Sequence, residues 1–202
     1  MIEKFESADF IDEFGVDLRK PLYPQVAALG DRYFDWVHTP IRKTTIAKLK
    51  EWDQGRWPGS VRIFEQEWLE VMTHIPWQLV LAIWVPIVLG LAGLARFWQG
   101  MSWGSLAGFW LLGILVWTLV EYLLHRYGFH TPTSSAAGNK AHFLAHGIHH
   151  YDPFDGTRLL FPPLGGLGIA ALIYLGFYLM MPLDVSLILM AGLLTGYLLN
   201  DG

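Results

Sequence analysis

Residues 75–95, IPWQLVLAIWVPIVLGLAGLA, carry no charge over 21 positions, and this run limits the chain more than any other feature. At 1.5 Å per residue a helix of that length reaches about 30 Å, the thickness of a bilayer's hydrocarbon core. Pro86 lies inside it, which a membrane helix tolerates because neighbouring helices can satisfy the freed carbonyl. A tryptophan-bearing link at 96–104 suits the headgroup level, and residues 105–124 form a second apolar run broken only by Glu121. Two more follow at 162–181 and 183–199. The Pro182-Leu183-Asp184 junction pairs them as a helical hairpin, short enough to enter and return on one side. The expected fold is an all-α integral membrane protein with four transmembrane helices in two hairpins.

The remainder agrees with a membrane class. Of 202 residues, 53% are hydrophobic and only 16% charged, more apolar than an average soluble domain. The net charge of −4 gives no basic excess, so nucleic acid is set aside as a partner. There are no cysteines, which removes disulfides, iron–sulfur clusters and thiol nucleophiles and leaves nitrogen and oxygen as metal ligands. The acidic N-terminus lacks the layout of a cleavable signal peptide. Residues 1–74 read as a polar N-terminal arm broken by prolines and glycines, with aromatic pieces at 33–37 and 61–72 that pack on the core or lie at the lipid interface; residues 75–202 read as the membrane-embedded domain. Ten of the 14 Lys and Arg fall in the arm, one in the link and three in 125–161. The positive-inside tendency then puts the arm and the 125–161 loop together on the cytoplasmic face. That membrane is the endoplasmic reticulum in a eukaryote and the inner membrane in a bacterium.

Six of the eight histidines lie between His125 and His150; the density outside would put well under one in that window. His142, His146, His149 and His150 stand at i, i+4, i+7 and i+8, on one arc of an α-helix. Neutral imidazoles ligate iron, copper, zinc or nickel, and metal binding makes such crowding tolerable. His125 and His130 are five apart, about 140° around an ideal helix, and share a face only if the helix ends near Gly128. His125, His130, His146, His149 and His150 are the expected ligands. His142 fits either direct coordination or the orienting of a ligand imidazole. His38 and His74 read as ordinary hydrogen-bonding residues. Glu121, one turn before His125 in an apolar span, fits a role beside the ligands or an interfacial carboxylate. Asp152, Asp155 and Arg158 read as a charged loop.

The segments HRYGFH at 125–130 and HGIHH at 146–150 resemble the histidine boxes of the membrane fatty acid hydroxylase and sterol desaturase superfamily. Within it the chain is most similar to fatty acid 2-hydroxylases, through DLRKPLYPQVAALGDRYFDWVHTP at 17–40, WTLVEYLLHRYGFH at 117–130 and PFDGTRLLFPP at 153–163. The resemblance implies a cytosolic histidine-rich cap over four membrane helices. It also implies two iron ions, with zinc a substitute in purified protein, that use O2 to hydroxylate the alpha carbon of a fatty acyl chain, free or in ceramide. Electrons would come from a separate cytochrome b5 type or ferredoxin-like donor, since the arm lacks a haem-binding histidine pair. The family has two further histidine boxes after a fourth span ending in a Tyr-Asp pair. Here Asn200 stands at the tyrosine, Asp201 is kept as a further candidate near the ligands, and the sequence ends at Gly202, so five of an expected ten ligands fall within it. A C-terminally incomplete domain is the expectation.

Three other functions compete. A sterol or carotenoid oxidase shares the boxes, but PFDGTRLLFPP argues against it. A non-catalytic metal-binding or transport protein predicts ionisable residues through several spans, whereas the last two apolar stretches hold only Asp184. Bis-histidine haem binding leaves the H-x2-H-H spacing unexplained.

Overall fold

The structure, a computed structural model, describes residues 5–54, 61–158 and 161–200. Asp201 lies outside the described residues. Within them the chain is helical, and the only strand-like pairing is an isolated bridge between Ile11 and Asp17. The α-helices in order are α1 (Leu22–Ala28), α2 (Tyr33–Val37), α3 (Lys43–Trp52), α4 (Glu67–Val71), α5 (Trp77–Gly93), α6 (Trp103–Leu123), α7 (Ala136–His142), α8 (Ile148–Tyr151), α9 (Pro163–Met180) and α10 (Leu183–Asn200). Three wider π-turns extend or join them, at Leu94–Trp98, Leu124–Phe129 and Phe143–Gly147.

The helices divide into two compact units, one holding residues up to His74 together with Phe129 onward to 158, the other holding 75–128 with 161–200. The four spans expected from hydropathy are Trp77–Trp98, Trp103–Phe129, Pro163–Met180 and Leu183–Asn200, all but Phe129 within the second unit. Each of the last two has 18 residues, enough as a helix for about 27 Å. Ser102 caps α6 by accepting from the Ser105 amide, and Pro163 opens α9 where its missing N–H costs nothing. Pro86 sits inside α5 without ending it.

Small residues decide how this unit packs. A Cβ on Gly113 of α6 would stand 2.4 Å from the Leu189 carbonyl oxygen, and one on Gly192 of α10 would stand 2.1 Å from that of Trp110. Only hydrogen at these two positions lets the backbones touch, the usual device where lipid removes the hydrophobic drive between helices. The Trp110 indole donates to Thr195 Oγ1 (3.1 Å), a polar tie across the same pair. Thus α10 is buried from Ser186 to Leu194, while Leu115 and Leu172 on α6 and α9 face outward as a lipid-facing surface would.

The first unit is built on buried aromatics. Phe10, Leu22, Val26, Tyr33, Trp36, Val37, Phe143, Ile148 and Tyr151 form one core, so residues of the arm pack directly around α7 and α8. Burial of Phe10, Leu22 or Phe143 contributes roughly 1.5–3 kcal/mol each. Trp36 stacks on Tyr151 with centroids 4.2 Å apart, and both donate to Asp12 Oδ2, at 2.7 and 3.3 Å.

The expected charged loop at 152–158 is instead internal: Asp152, Asp155 and Arg158 are all buried. The reason is a carboxylate far away in sequence. The Arg158 guanidinium donates to Glu70 Oε1 (2.5 Å), to the Val61 carbonyl (2.7 Å) and to Thr73 Oγ1 (3.2 Å), and lies 2.8 Å from His74 Nε2. Glu70 Oε2 accepts the Ile63 and Phe64 amides at 2.9 and 2.8 Å. A guanidinium can only donate, so His74 Nε2 accepts and its Nδ1–H faces Thr157 Oγ1 at 2.7 Å, the hydrogen-bonding role the sequence suggested for His74. Burial alone would raise the Glu70 carboxyl; the Arg158 charge and the two amides outweigh it and hold it below the ordinary range. Asp152 goes the other way, pushed up to about 6 by burial and by the neighbouring Asp155.

Candidate metal centre

Within the first unit, His38, His130, His146, His149 and His150 gather around one spot. His130 follows the π-turn Leu124–Phe129, and His146 lies within the π-turn Phe143–Gly147, from which α8 carries His149 and His150. π-Turns recur at functional sites because they re-aim side chains that a regular helix would spread. The π-turn that carries His125 ends at Phe129, immediately before His130.

The rings are close. His150 lies 4.6 Å from His146, 4.9 Å from His130 and 4.8 Å from His38, centroid to centroid, and His149 is within 5.7 Å of both His146 and His150. Nε2 of His146 and Nε2 of His150 face each other at 2.8 Å, room for one proton at most between them. One nitrogen each from His38, His130 and His150 fall within 4.8 Å of one another. Such a set of neutral nitrogen donors fits a borderline transition metal such as iron or zinc.

His38 is the residue that sequence reasoning left out. Its Nδ1 lies 2.8 Å from the Phe34 carbonyl, which can only accept, so the proton is on Nδ1 and Nε2 keeps a free lone pair. This is the arrangement metal-ligating histidines show, the second nitrogen tied to a carbonyl. The ring also packs on Phe34 at 4.4 Å. Its sequence signal is its place inside the segment 17–40 that carries the family resemblance.

The other candidates are placed as follows. His142 is buried in the first unit with both ring nitrogens engaged, by Tyr33 Oη at 2.6 Å and by the Phe129 carbonyl at 2.5 Å. Burial depresses its pKa below the ordinary histidine value, against a smaller raising effect of the Phe129 carbonyl. Of the four imidazoles on the arc from 142 to 150, three crowd together; the His142 ring lies 6.4 Å from that of His146 with its nitrogens turned to Tyr33 and Phe129. His125 belongs to the second unit, where its Nδ1 lies 3.7 Å from Glu121 Oε1, an ion-pair distance too long for a hydrogen bond.

Comparison with known proteins bears on the same residues. The fatty acid hydroxylase family model matches residues 110–201, spanning the 125–150 histidines and the last two spans. The chain is 33% identical over 190 residues to a dihydroceramide fatty acyl 2-hydroxylase of Arabidopsis thaliana, covering 94% of the chain and 74% of that protein. The chain belongs to the fatty acid hydroxylase family. Rat fatty acid 2-hydroxylase is 36% identical over 217 residues, covering 98% of the chain and 54% of the rat protein. The chain thus spans about half the length of the mammalian relatives it matches. The solved structure of full-length scs7p, in which only the hydroxylase domain is visible, superposes with a TM-score of 0.80 at 29% identity, covering 100% of the chain and 74% of that one.

Proposed function

We propose that this protein hydroxylates the alpha carbon of a fatty acyl chain, free or held in a ceramide-type lipid, at a non-haem di-iron centre that uses O2. The observation that carries the reading is the convergence of His38, His130, His146, His149 and His150 in a chain 33% identical to a dihydroceramide fatty acyl 2-hydroxylase. His125 is carried into the ligand set from its box spacing, and Glu121 is the carboxylate that would hold its Nδ1. Two bound irons would supply the activation of dioxygen.

The chain's own residues do the rest. The Phe34 carbonyl fixes the His38 tautomer so that Nε2 is available, and the Phe129 ring lies flat against His146 at 4.8 Å and 15°, holding that imidazole edge-on to the cluster. Histidines held this way ligate without first losing rotamer freedom. The lipid-facing surfaces of α6 and α9 offer the apolar setting an acyl chain needs. Hydroxylating a C–H bond with O2 consumes two electrons and two protons beyond the substrate, so the reaction needs a redox donor of cytochrome b5 or ferredoxin-like type. The concentration of Lys and Arg ahead of the first span supports a cytoplasmic side for the histidine-bearing unit.

Lipid mass spectrometry of a host expressing the full-length protein tests this. Acyl chains one oxygen heavier at the carbon next to the carbonyl are expected, and they should disappear in His150→Ala. Oxygen found on a sterol, or on an acyl carbon remote from the carbonyl, would overturn the assignment.

A further inference from the structure

Both ring nitrogens of His142 are committed to groups other than histidine. A carbonyl oxygen cannot donate, so the contact with Phe129 at 2.5 Å requires the proton on His142 Nε2. Nδ1 is then the acceptor of the Tyr33 hydroxyl at 2.6 Å. No lone pair is left for a metal.

The chain of contacts continues at both ends. Tyr33 is fully buried, and the turn before it is held by Asn139 of α7, whose side-chain amide donates to the Gly30 carbonyl at 3.0 Å. Gly30 sits at φ +55°, a conformation glycine adopts without strain. At the far end, Phe129 immediately precedes His130 and its ring stacks on His146. Space for the contact is kept by Gly147: a Cβ there would stand 2.5 Å from Tyr33 Oη and 3.1 Å from His142 Nδ1.

We infer that Tyr33, His142 and the Phe129 carbonyl form a positioning relay, which sets the placement of His130 and His146 while His142 itself binds no metal. The relay rests on the proposed metal reading for its purpose and on these contacts for its existence. Leu at 142 would fill the space but free both the Phe129 carbonyl and the Tyr33 hydroxyl. Gln would replace both contacts, its amide nitrogen donating to Phe129 and its oxygen accepting from Tyr33.

The test uses cobalt(II) as the probe on the detergent-purified full-length protein, with far-ultraviolet circular dichroism to confirm folding. His142→Leu should weaken cobalt binding by roughly 10- to 100-fold and shift the visible ligand-field bands, because the coordinating rings lose their setting. His142→Gln should restore affinity and spectrum close to the parent, and Tyr33→Phe should fall between. If Gln binds as weakly as Leu and its spectrum shows one nitrogen donor fewer, His142 is a ligand and the inference fails. Unchanged binding in Leu also overturns it. Nitrogen-15 NMR of labelled histidines in metal-free protein separates this from the metal reading. His142 protonated on Nε2 supports the relay whether or not cobalt binds, and protonation on Nδ1 refutes it. A parent protein that takes up no metal would instead count against the proposed function.

Discussion

Replacing Arg158 by Met removes the cation of a buried pair and leaves Glu70, itself 1% exposed, as an uncompensated carboxylate. Breaking a buried ion pair from one side costs about 3–5 kcal/mol. At 1.36 kcal/mol per decade that is roughly two to four decades in the opening equilibrium of the segment Glu70 holds. The amides that report it are those of Ile63 and Phe64, which donate to Glu70 Oε2, so hydrogen exchange at these two sites is the assay. The sign of the pH dependence sharpens the test. In the parent the Glu70 carboxyl sits below its ordinary value of 4.5, so its contribution is present above that pH and is lost as pH falls through the lower folded value. Without Arg158 burial dominates and raises the carboxyl, so protection should now be lost as pH rises. Adding Glu70→Gln removes the buried charge and keeps an oxygen for both amides, so the double variant should be better protected than Arg158→Met alone. Protection in Arg158→Met close to the parent, or a double variant worse than either single change, would refute the account of this clamp.

Three further outcomes are expected. His38→Ala should reduce bound metal in plasma-emission analysis as strongly as His130→Ala, although His38 lies outside both histidine boxes. Gly192→Val should destabilise the α6–α10 pair by more than 1–3 kcal/mol, the ordinary cost of overpacking, because its side chain would meet backbone oxygen of Trp110; thermal unfolding in detergent reads this as a lowered midpoint. Asp152→Asn should stabilise the protein at neutral pH relative to pH 4. The parent carboxyl, raised to about 6, contributes stability below the unfolded value of 3.8 that is lost as pH rises through 6, and the amide has no such loss.

The spans were legible because hydropathy is additive along the chain: an uncharged run such as 75–95 needs no partner to be recognised, and α5 spans most of it. The histidine boxes were legible for a similar reason, since residues within one or two turns constrain each other through helix pitch. What escaped depends on partners distant in sequence. Arg158 looks like a solvated loop charge until Glu70, 88 positions earlier, is beside it. His142 looks like a fourth member of a helical stripe until Tyr33, 109 positions earlier, takes its Nδ1. His38 joins the cluster only because the α2 segment packs on α8 through Trp36 and Tyr151.

The π-turns at Leu124–Phe129 and Phe143–Gly147 affect anyone who would move this chemistry elsewhere. A π-turn carries one residue more than the α-turn it replaces, so residue counts copied from these boxes into ideal straight helices would aim the imidazoles in the wrong directions. A transplanted site would need four-residue spacing where this protein uses five. Conversely, deleting a single residue such as Ala145 would let the second bulge relax to α-helix with His146, His149 and His150 keeping nearly their present facing relative to α7, because the extra residue is what the π-turn absorbs.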